Sequence, residues 1–197
     1  DRLLPRSAPV LIPCQTTASW VRVEATRLSQ RLNDKSHALQ LAELLVFSGE
    51  ENVALQGKVT SSSVSNQEGG QRHQSDLVDG YLPYVMNAPG DKKIAFFSHL
   101  ESGKEGSLTI DLGASLPISQ ILLHPVESSA SSPAGYENDL GIPEEFVIEG
   151  ANKADFSDSV VLVNRKKKAN KPAITTMSAY LYRLQVASSL WRVLRKV

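Results

Sequence analysis

The feature that most constrains the fold is the alternation of apolar and polar residues along several short segments. In "SLTIDLG", Leu108, Ile110 and Leu112 alternate with polar residues and a glycine follows. Successive side chains of a strand point to opposite faces, so this period of two predicts a strand that buries those three residues on one face. The segments with strand-like patterns are 20–26, 52–60, 107–113, 118–126, 144–151, 159–164 and 179–187.

Loops rich in serine, glycine and proline separate these segments. The longest are "SSSVSNQEGGQRHQS" (61–75) and "SSASSPAGYENDLGIP" (128–143). Short strands that alternate with such loops are typical of antiparallel sandwiches and barrels. We therefore predict an all-β, antiparallel fold. Its strands should include residues 107–112, 119–124, 145–149 and 180–186.

Composition limits the classes of protein that fit this pattern. A chain of 197 residues with 41% hydrophobic residues is long enough for one substantial domain with a real core. Its formal net charge is zero, so no overall field favours nucleic acid as a partner. No run of 18 apolar residues occurs, so we expect no transmembrane segment. Cys14 is the single cysteine, which excludes an internal disulfide.

The two ends of the chain lack a clear assignment. Residues 1–17 contain three prolines and no periodicity, so we interpret them as a tether or an edge segment. The sequence does not begin with methionine, and we expect a processed form or a fragment. Residues 18–28 and 179–190 share a weak pattern around an arginine, which predicts either sister strands or the start of a second repeat.

Residues 27–47 carry conflicting signals. Ala38, Leu41, Ala42 and Leu45 have helical spacing, whereas "LLVF" before Ser48 is typical of a strand. Periodicity alone leaves both structures open.

Four motifs stand in a fixed order: "NVALQGKVTSSS" (52–63), "DLVDG" (76–80), "GSLTIDLGASLPISQILLHP" (106–125) and "GIPEEFVIEGANKADFSD" (141–158). Together they resemble the coagulation-factor type C, or discoidin, domain of the galactose-binding-like superfamily. The resemblance covers about residues 40–187 and implies a jelly-roll β-sandwich. Because that fold presents different ligands on variable loops, the resemblance predicts the framework better than the function.

The resemblance also bears on the ambiguous segment. "ALQLAELLVFS" (38–48) is similar to the family's alanine-glutamate strand, which usually closes the domain but here precedes the first strand. Either it is the tail of a preceding unit, or the domain is completed from its N-terminal side, which we favour. We therefore predict a strand at 40–47, a domain at 18–187, and an extension or a further unit at 188–197.

The resemblance implies a structural calcium ion. The family positions that bind it correspond here to Asp79 and Glu43, and calcium prefers oxygen ligands. The alternative is that Asp79 caps the turn before Gly80 and that Glu43 is a surface strand residue.

Glycan binding needs an aromatic platform and polar side chains that reach hydroxyl groups. Two loop regions, 81–99 and 128–141, together with the earlier polar loop, supply candidates. They are Tyr81, Tyr84, Phe97, His99, Arg72 and Tyr136. The alternative for each aromatic residue is a place in the core or at its rim. The basic run that starts at Arg165 is interpreted as a solvated turn.

Enzyme signatures are missing: the sequence contains no H-E-x-x-H, G-x-S-x-G or P-loop motif. We therefore predict a non-catalytic carbohydrate-binding module of a larger exported protein. It would bind glycan or cell-surface polysaccharide on loops at one end of the sandwich, beside neighbouring domains of the parent protein. The resemblance implies an extracellular or periplasmic location. The alternative is a structural or protein-interaction spacer with no small ligand.

Overall fold

The structure, a computed structural model, describes six stretches of the chain in detail; five are dominated by extended backbone, and one consists mainly of a short 3₁₀ helix. By its internal contacts the chain divides into two units, Asp1–Lys167 and Lys168–Val197, and every described residue belongs to the first. The described stretches are 9–30, 37–62, 74–81, 96–100, 106–125 and 142–165.

Ten strands and one short 3₁₀ helix are found in these stretches, so the predicted all-β, antiparallel fold is confirmed. The helix covers Gln74–Val78. The strands are β1 (Val10–Arg27), β2 (Ser29–Gln30), β3 (His37–Leu41), β4 (Glu43–Ser48), β5 (Glu51–Asn52), β6 (Lys58–Ser61), β7 (Phe96–Leu100), β8 (Gly106–His124), β9 (Glu145–Ala151) and β10 (Val160–Arg165). No helix in the described stretches is long and apolar enough to span a membrane.

The strands form two antiparallel sheets. The larger has seven strands in the order β10-β9-β1-β8-β4-β5, with β6 also paired to β8. The smaller has the order β2-β3-β7. The packing of two sheets as a jelly-roll sandwich stays a prediction.

A long ribbon of β1 and β8 organises the larger sheet. The second half of β1, Trp20–Ala25, pairs with β8 on one side and with β9 on the other. Residues 10–17, predicted to be a tether or an edge segment, form the first part of β1 and pair with β8. Proline is tolerated at an edge because it offers no amide hydrogen to a neighbouring strand. Pro13, opposite Gln120 in β8, lies in this first part.

The predicted strands at 107–112, 119–124 and 145–149 are observed, and Leu108 and Ile110 are fully buried. Leu112 is only partly buried, at the margin of the core. The glycine that follows the segment 107–112 does not end the strand, since β8 continues through Gly113 to His124. Gly113 adopts a left-handed φ of 76°, and its amide donates to Asp111 Oδ1 at 2.9 Å, so the chain bends without leaving the sheet. The predicted strand at 180–186 lies outside the described residues.

Residues 40–47 are strand, as predicted, and the helical alternative is wrong. The segment is divided by a bend at Ala42 into β3 of the smaller sheet and β4 of the larger. Because β4 pairs with β8, a segment that precedes the first motif is built into the same sheet as the later ones.

An ion pair fastens β1 to the hairpin of β9 and β10. Arg22 donates to Glu149 Oε2 from Nε at 3.0 Å and from Nη2 at 2.6 Å. Its guanidinium also lies 4.1 Å from the ring centroid of Phe156, which holds a left-handed φ of 58° in the turn. Ser159 Oγ donates to Glu149 Oε1 at 3.1 Å. The carboxylate is therefore held by β1 on one side and by the turn before β10 on the other.

We expect the Arg22→Ala variant to lose about 1–3 kcal/mol of unfolding free energy, since Glu149 would keep a half-buried charge without its main donor. Urea unfolding of the single variants Arg22→Ala and Glu149→Gln and of the double variant gives the coupling energy. The pair formed by Arg27 and Glu145, which lie 3.9 Å apart and are more exposed than Arg22 and Glu149, is the control. A coupling no larger than that of the control would contradict the prediction.

Candidate functional site

Glu43 opens β4 at the point where the chain passes from the smaller to the larger sheet. Its register partner is His124, the last residue of β8, and Ala42 N donates to His124 O at 3.0 Å. Both side chains are fully buried. The site therefore lies inside the protein, at the end of the β4–β8 ladder.

The bend at Ala42 explains why an acid is buried here. Leu39 and Leu41 of β3 belong to the main core, and so do Leu44 and Val46 of β4. The core-facing positions change from odd-numbered residues before the bend to even-numbered residues after it, so Glu43 is directed away from that core. Glu43 is therefore buried without placing a polar group in the main core.

The Glu43 carboxyl group holds the turn that follows the 3₁₀ helix. Gly80 N donates to Glu43 Oε1 at 2.9 Å, and Gly80 has a left-handed φ of 83°. Glu43 Oε2 is buried and has no hydrogen-bond partner. A buried carboxylate oxygen without a partner is costly, so an ion or a hydrogen-bond donor at this atom would stabilise the folded chain.

The electrostatics of Glu43 follow from this position. Burial raises the pKa of Glu43 to about 10; the hydrogen bond from Gly80 acts in the opposite direction, and the negative charges of Asp79 and Asp76 raise the pKa further. Two acidic residues therefore lie close enough to act on a third. The prediction that Asp79 and Glu43 come together at a calcium site stays a prediction.

Asp79 also shapes the turn itself. Its Oδ1 accepts a hydrogen bond from Tyr81 N at 2.8 Å, which is the turn-capping role considered above as an alternative to metal binding. The other alternative, that Glu43 is a surface strand residue, is wrong because Glu43 is fully buried.

Two further polar residues in this region were missed by the sequence analysis. Burial lowers the pKa of His124 to about 3, so its imidazole is neutral at ordinary pH. Gln40 of β3 is fully buried, and neither its Oε1 nor its Nε2 has a hydrogen-bond partner. The signal for Gln40 was the polar residue between Leu39 and Leu41 in an otherwise apolar run. No comparable signal marks His124, because its burial depends on the pairing of β8 with β4.

The fit to calcium rests on the chemistry of these donors. Calcium takes oxygen ligands from carboxylates, carbonyls and water, and Glu43 Oε2 is a carboxylate oxygen that lacks a partner. The described residues contain no preformed group of three or more acidic, histidine or cysteine side chains placed to hold a metal ion. Glu43 Oε2 therefore has the chemistry of a calcium ligand, and a calcium site shared by Glu43 and Asp79 stays a prediction.

The structure describes only part of the predicted glycan site. Tyr81 is partly buried and directly follows the turn held by Glu43. Phe97 and His99 lie in β7, opposite Gln40 and Ala38. Their predicted place in a loop at 81–99 is therefore wrong, because β3 supplies a pairing partner that local sequence does not reveal. Arg72, Tyr84 and Tyr136 lie outside the described residues.

A separate open groove of about 370 Å³ runs along the β1–β8 ribbon at a register shift. It is lined by Gln15, Thr16, Thr17, Gly49, Pro117, Ile118 and Ser119. None of the predicted site residues lines it. The groove carries no charged side chain, and one of its hydroxyl groups already donates within the fold, from Ser119 Oγ to Phe47 O at 3.1 Å.

Comparison of the chain with protein-family models, with curated proteins and with solved structures finds no match in any of the three.

Proposed function

We propose that the chain is a non-catalytic glycan-binding module in which an ion bound by Glu43 and Asp79 fixes the start of the ligand-binding loop. The single observation that carries this proposal is the state of the Glu43 carboxyl group. Its Oε1 holds the backbone of Gly80, while its Oε2 is buried without a partner.

The chain's own residues would give such an ion a mechanical role. Glu43 is anchored in the β4–β8 ladder, and its hydrogen bond to Gly80 ties the turn to that ladder. Asp79 then sets the direction of the chain by accepting from Tyr81 N. Calcium, when bound, would supply positive charge that favours the ionised form of both acids. The aromatic ring of Tyr81 would thus be presented from a fixed backbone.

We also propose that the module is non-catalytic. Among the described residues, Glu43 and His124 have the largest pKa shifts, and both are fully buried. A general acid or base must come within hydrogen-bond reach of its substrate, and neither group is open to one. Their properties support a structural role.

The ligand and the setting are proposed from the resemblance to discoidin domains. The module would bind glycan or cell-surface polysaccharide through Tyr81, with Arg72, Tyr84, Phe97, His99 and Tyr136 as further candidates. It would act beside neighbouring domains of an exported, extracellular or periplasmic protein.

Retention of the protein on a panel of polysaccharides in affinity gels tests the proposal. We expect retardation by at least one glycan, and we expect Tyr81→Ala to abolish it while Tyr81→Phe, which keeps the ring, retains most of it. A small change of melting temperature in both variants would show that the fold is intact. Binding should be weak, because a shallow site buries little of its ligand.

The spacer function is the outcome that would replace this proposal. It would follow if no glycan retards the wild-type protein, or if Tyr81→Ala is retained as well as Tyr81→Phe. A large loss of stability in Tyr81→Ala would instead place the ring in the core.

A further inference from the structure

The outer edge of the larger sheet is formed by an exposed strand. β10 is the terminal strand in the order of that sheet, and it pairs with β9 on one side. Val160 and Val161 are each 54% exposed. Because consecutive strand residues point to opposite faces, β10 presents apolar surface on both faces. No other described strand pairs with its outer edge.

The hairpin that carries this edge is held in one conformation. Phe156 N donates to Lys153 O, and Ser159 N donates to Phe156 O, which closes the turn before β10. The contact of Arg22 with Phe156 and the bond from Ser159 to Glu149 fix the turn to the sheet. A strand fixed in this way loses little entropy when a second strand pairs with it.

Charge is distributed unequally along the same segment. Asp155 and Asp158 lie exposed just before β10, whereas Arg165 ends it and Lys166 and Lys167 follow in the sequence. Between them stand Val160 to Val163, with no charge. An antiparallel copy of this segment would place each acidic end against the basic end of its partner.

We propose that β10 is a self-association edge, at which two copies of the chain pair their β10 strands antiparallel about a two-fold axis. Such an interface uses the same patch on both copies, so both ends of the paired strands gain a complementary contact. The formal net charge of the whole chain is zero, so no general repulsion opposes the pairing. The inference is independent of the proposed glycan binding.

Two features of β10 oppose unspecific strand pairing and favour the antiparallel pairing of two β10 strands. A register shift between Val161 and Val163 twists the edge, and the basic run repels any strand that brings positive charge to the same end. Open-ended stacking of further strands is thereby disfavoured. An antiparallel second copy of β10 can pair because it brings its aspartates to the basic end of the strand.

Sedimentation of the full chain across a range of protein and salt concentrations tests the proposal. We expect a reversible monomer–dimer equilibrium that weakens as salt rises, since screening reduces the contacts between the charged ends. Val161→Lys should raise the dimer dissociation constant at least about tenfold. Leu11→Lys, at a residue 41% exposed on β1, is the matched control and should leave the constant unchanged.

Charge reversal tests the antiparallel arrangement directly. Asp158→Lys places a positive charge opposite the basic end of the partner, and Arg165→Glu places a negative charge opposite its acidic end, so each variant alone should dimerise less than wild type. An equimolar mixture of the two should associate more strongly than either variant does with itself, and melting curves will show that each is folded. A chain that is monomeric at every concentration, a loss of dimer in Leu11→Lys, or no preference for the mixed pair would overturn the proposal.

Discussion

Replacing Glu43 by glutamine should remove, in one step, the dependence of stability on alkaline pH and the response to calcium. The glutamine keeps an oxygen that can accept from Gly80 N, but it carries no charge at any pH. In chelator, wild type should therefore be less stable than Glu43→Gln at pH 8. In excess calcium the difference should narrow, since an ion that binds only the native state adds about 2.7 kcal/mol at a hundredfold excess over its dissociation constant.

The pH window for this test follows from two buried groups. Glu43 titrates near its ordinary pKa of 4.5 when unfolded but near about 10 when folded, so the stability that its protonated form contributes is lost as pH rises between those values. For His124 the ordinary pKa of 6.5 falls to about 3 on folding, so stability is lost as pH falls through that range. The two slopes oppose each other below pH 6.5, and above it only Glu43 of these two groups still changes the unfolding free energy.

Urea unfolding in chelator between pH 7 and pH 9 is therefore the most sensitive measurement. Wild type should lose about 1.4 kcal/mol per pH unit relative to Glu43→Gln. Glu51→Gln makes the same chemical change at an exposed residue of β5 and is the control; its profile should follow that of wild type. If Glu43→Gln and wild type show parallel profiles and equal shifts with calcium, neither the buried charge nor the ion belongs at Glu43.

The strands with simple alternation could be predicted from sequence because each buries one face. Leu108 and Ile110 of β8 and Phe146 and Ile148 of β9 keep a strict period of two, and all four are buried. A half-buried strand shows this alternation in its own residues, so it can be predicted without knowing which strands pair with it. Such segments were placed correctly.

The segment at 37–48 was ambiguous for a physical reason. The bend at Ala42 puts Leu41 and Leu44 on the core although they are three residues apart, which is a helical spacing. A strand that passes from one sheet to another thus imitates a helix in its periodicity. The resemblance to discoidin domains, and not the local pattern, selected the strand.

The long ribbon and the buried acid could not be predicted from local sequence. The extent of β1 and β8 depends on their mutual pairing, which continues past Pro13 and Gly113. The burial of Glu43 and His124 depends on the register of β4 against β8. Such facts are set by tertiary contacts between segments far apart in the chain.

The chain that lacks residues 1–50 should not fold, because those residues contribute strands to the middle of both sheets. β1 lies between β8 and β9, β4 pairs with β8, and β3 lies between β2 and β7. Removing β1 would expose the backbone groups of two neighbouring strands at once and uncover Ile110 and Ile148. We expect the truncated chain to show no cooperative thermal transition and a far-ultraviolet spectrum of an unfolded chain.

A pair of substitutions separates loss of the core from loss of chain length. Val21 is fully buried between Ile110 of β8 and Gly150 of β9, whereas Glu24 of the same strand is exposed. Val21→Asp forces a charge into the core and should cost about 4 kcal/mol or more. Glu24→Asp should leave the unfolding free energy nearly unchanged. Because the two positions share one strand, an effect confined to Val21 would show that β1 stabilises the protein through its buried face.

A truncated chain that still melts cooperatively would contradict the truncation prediction. It would place the boundary of the folded unit after residue 50 and make β1 and β4 additions to it.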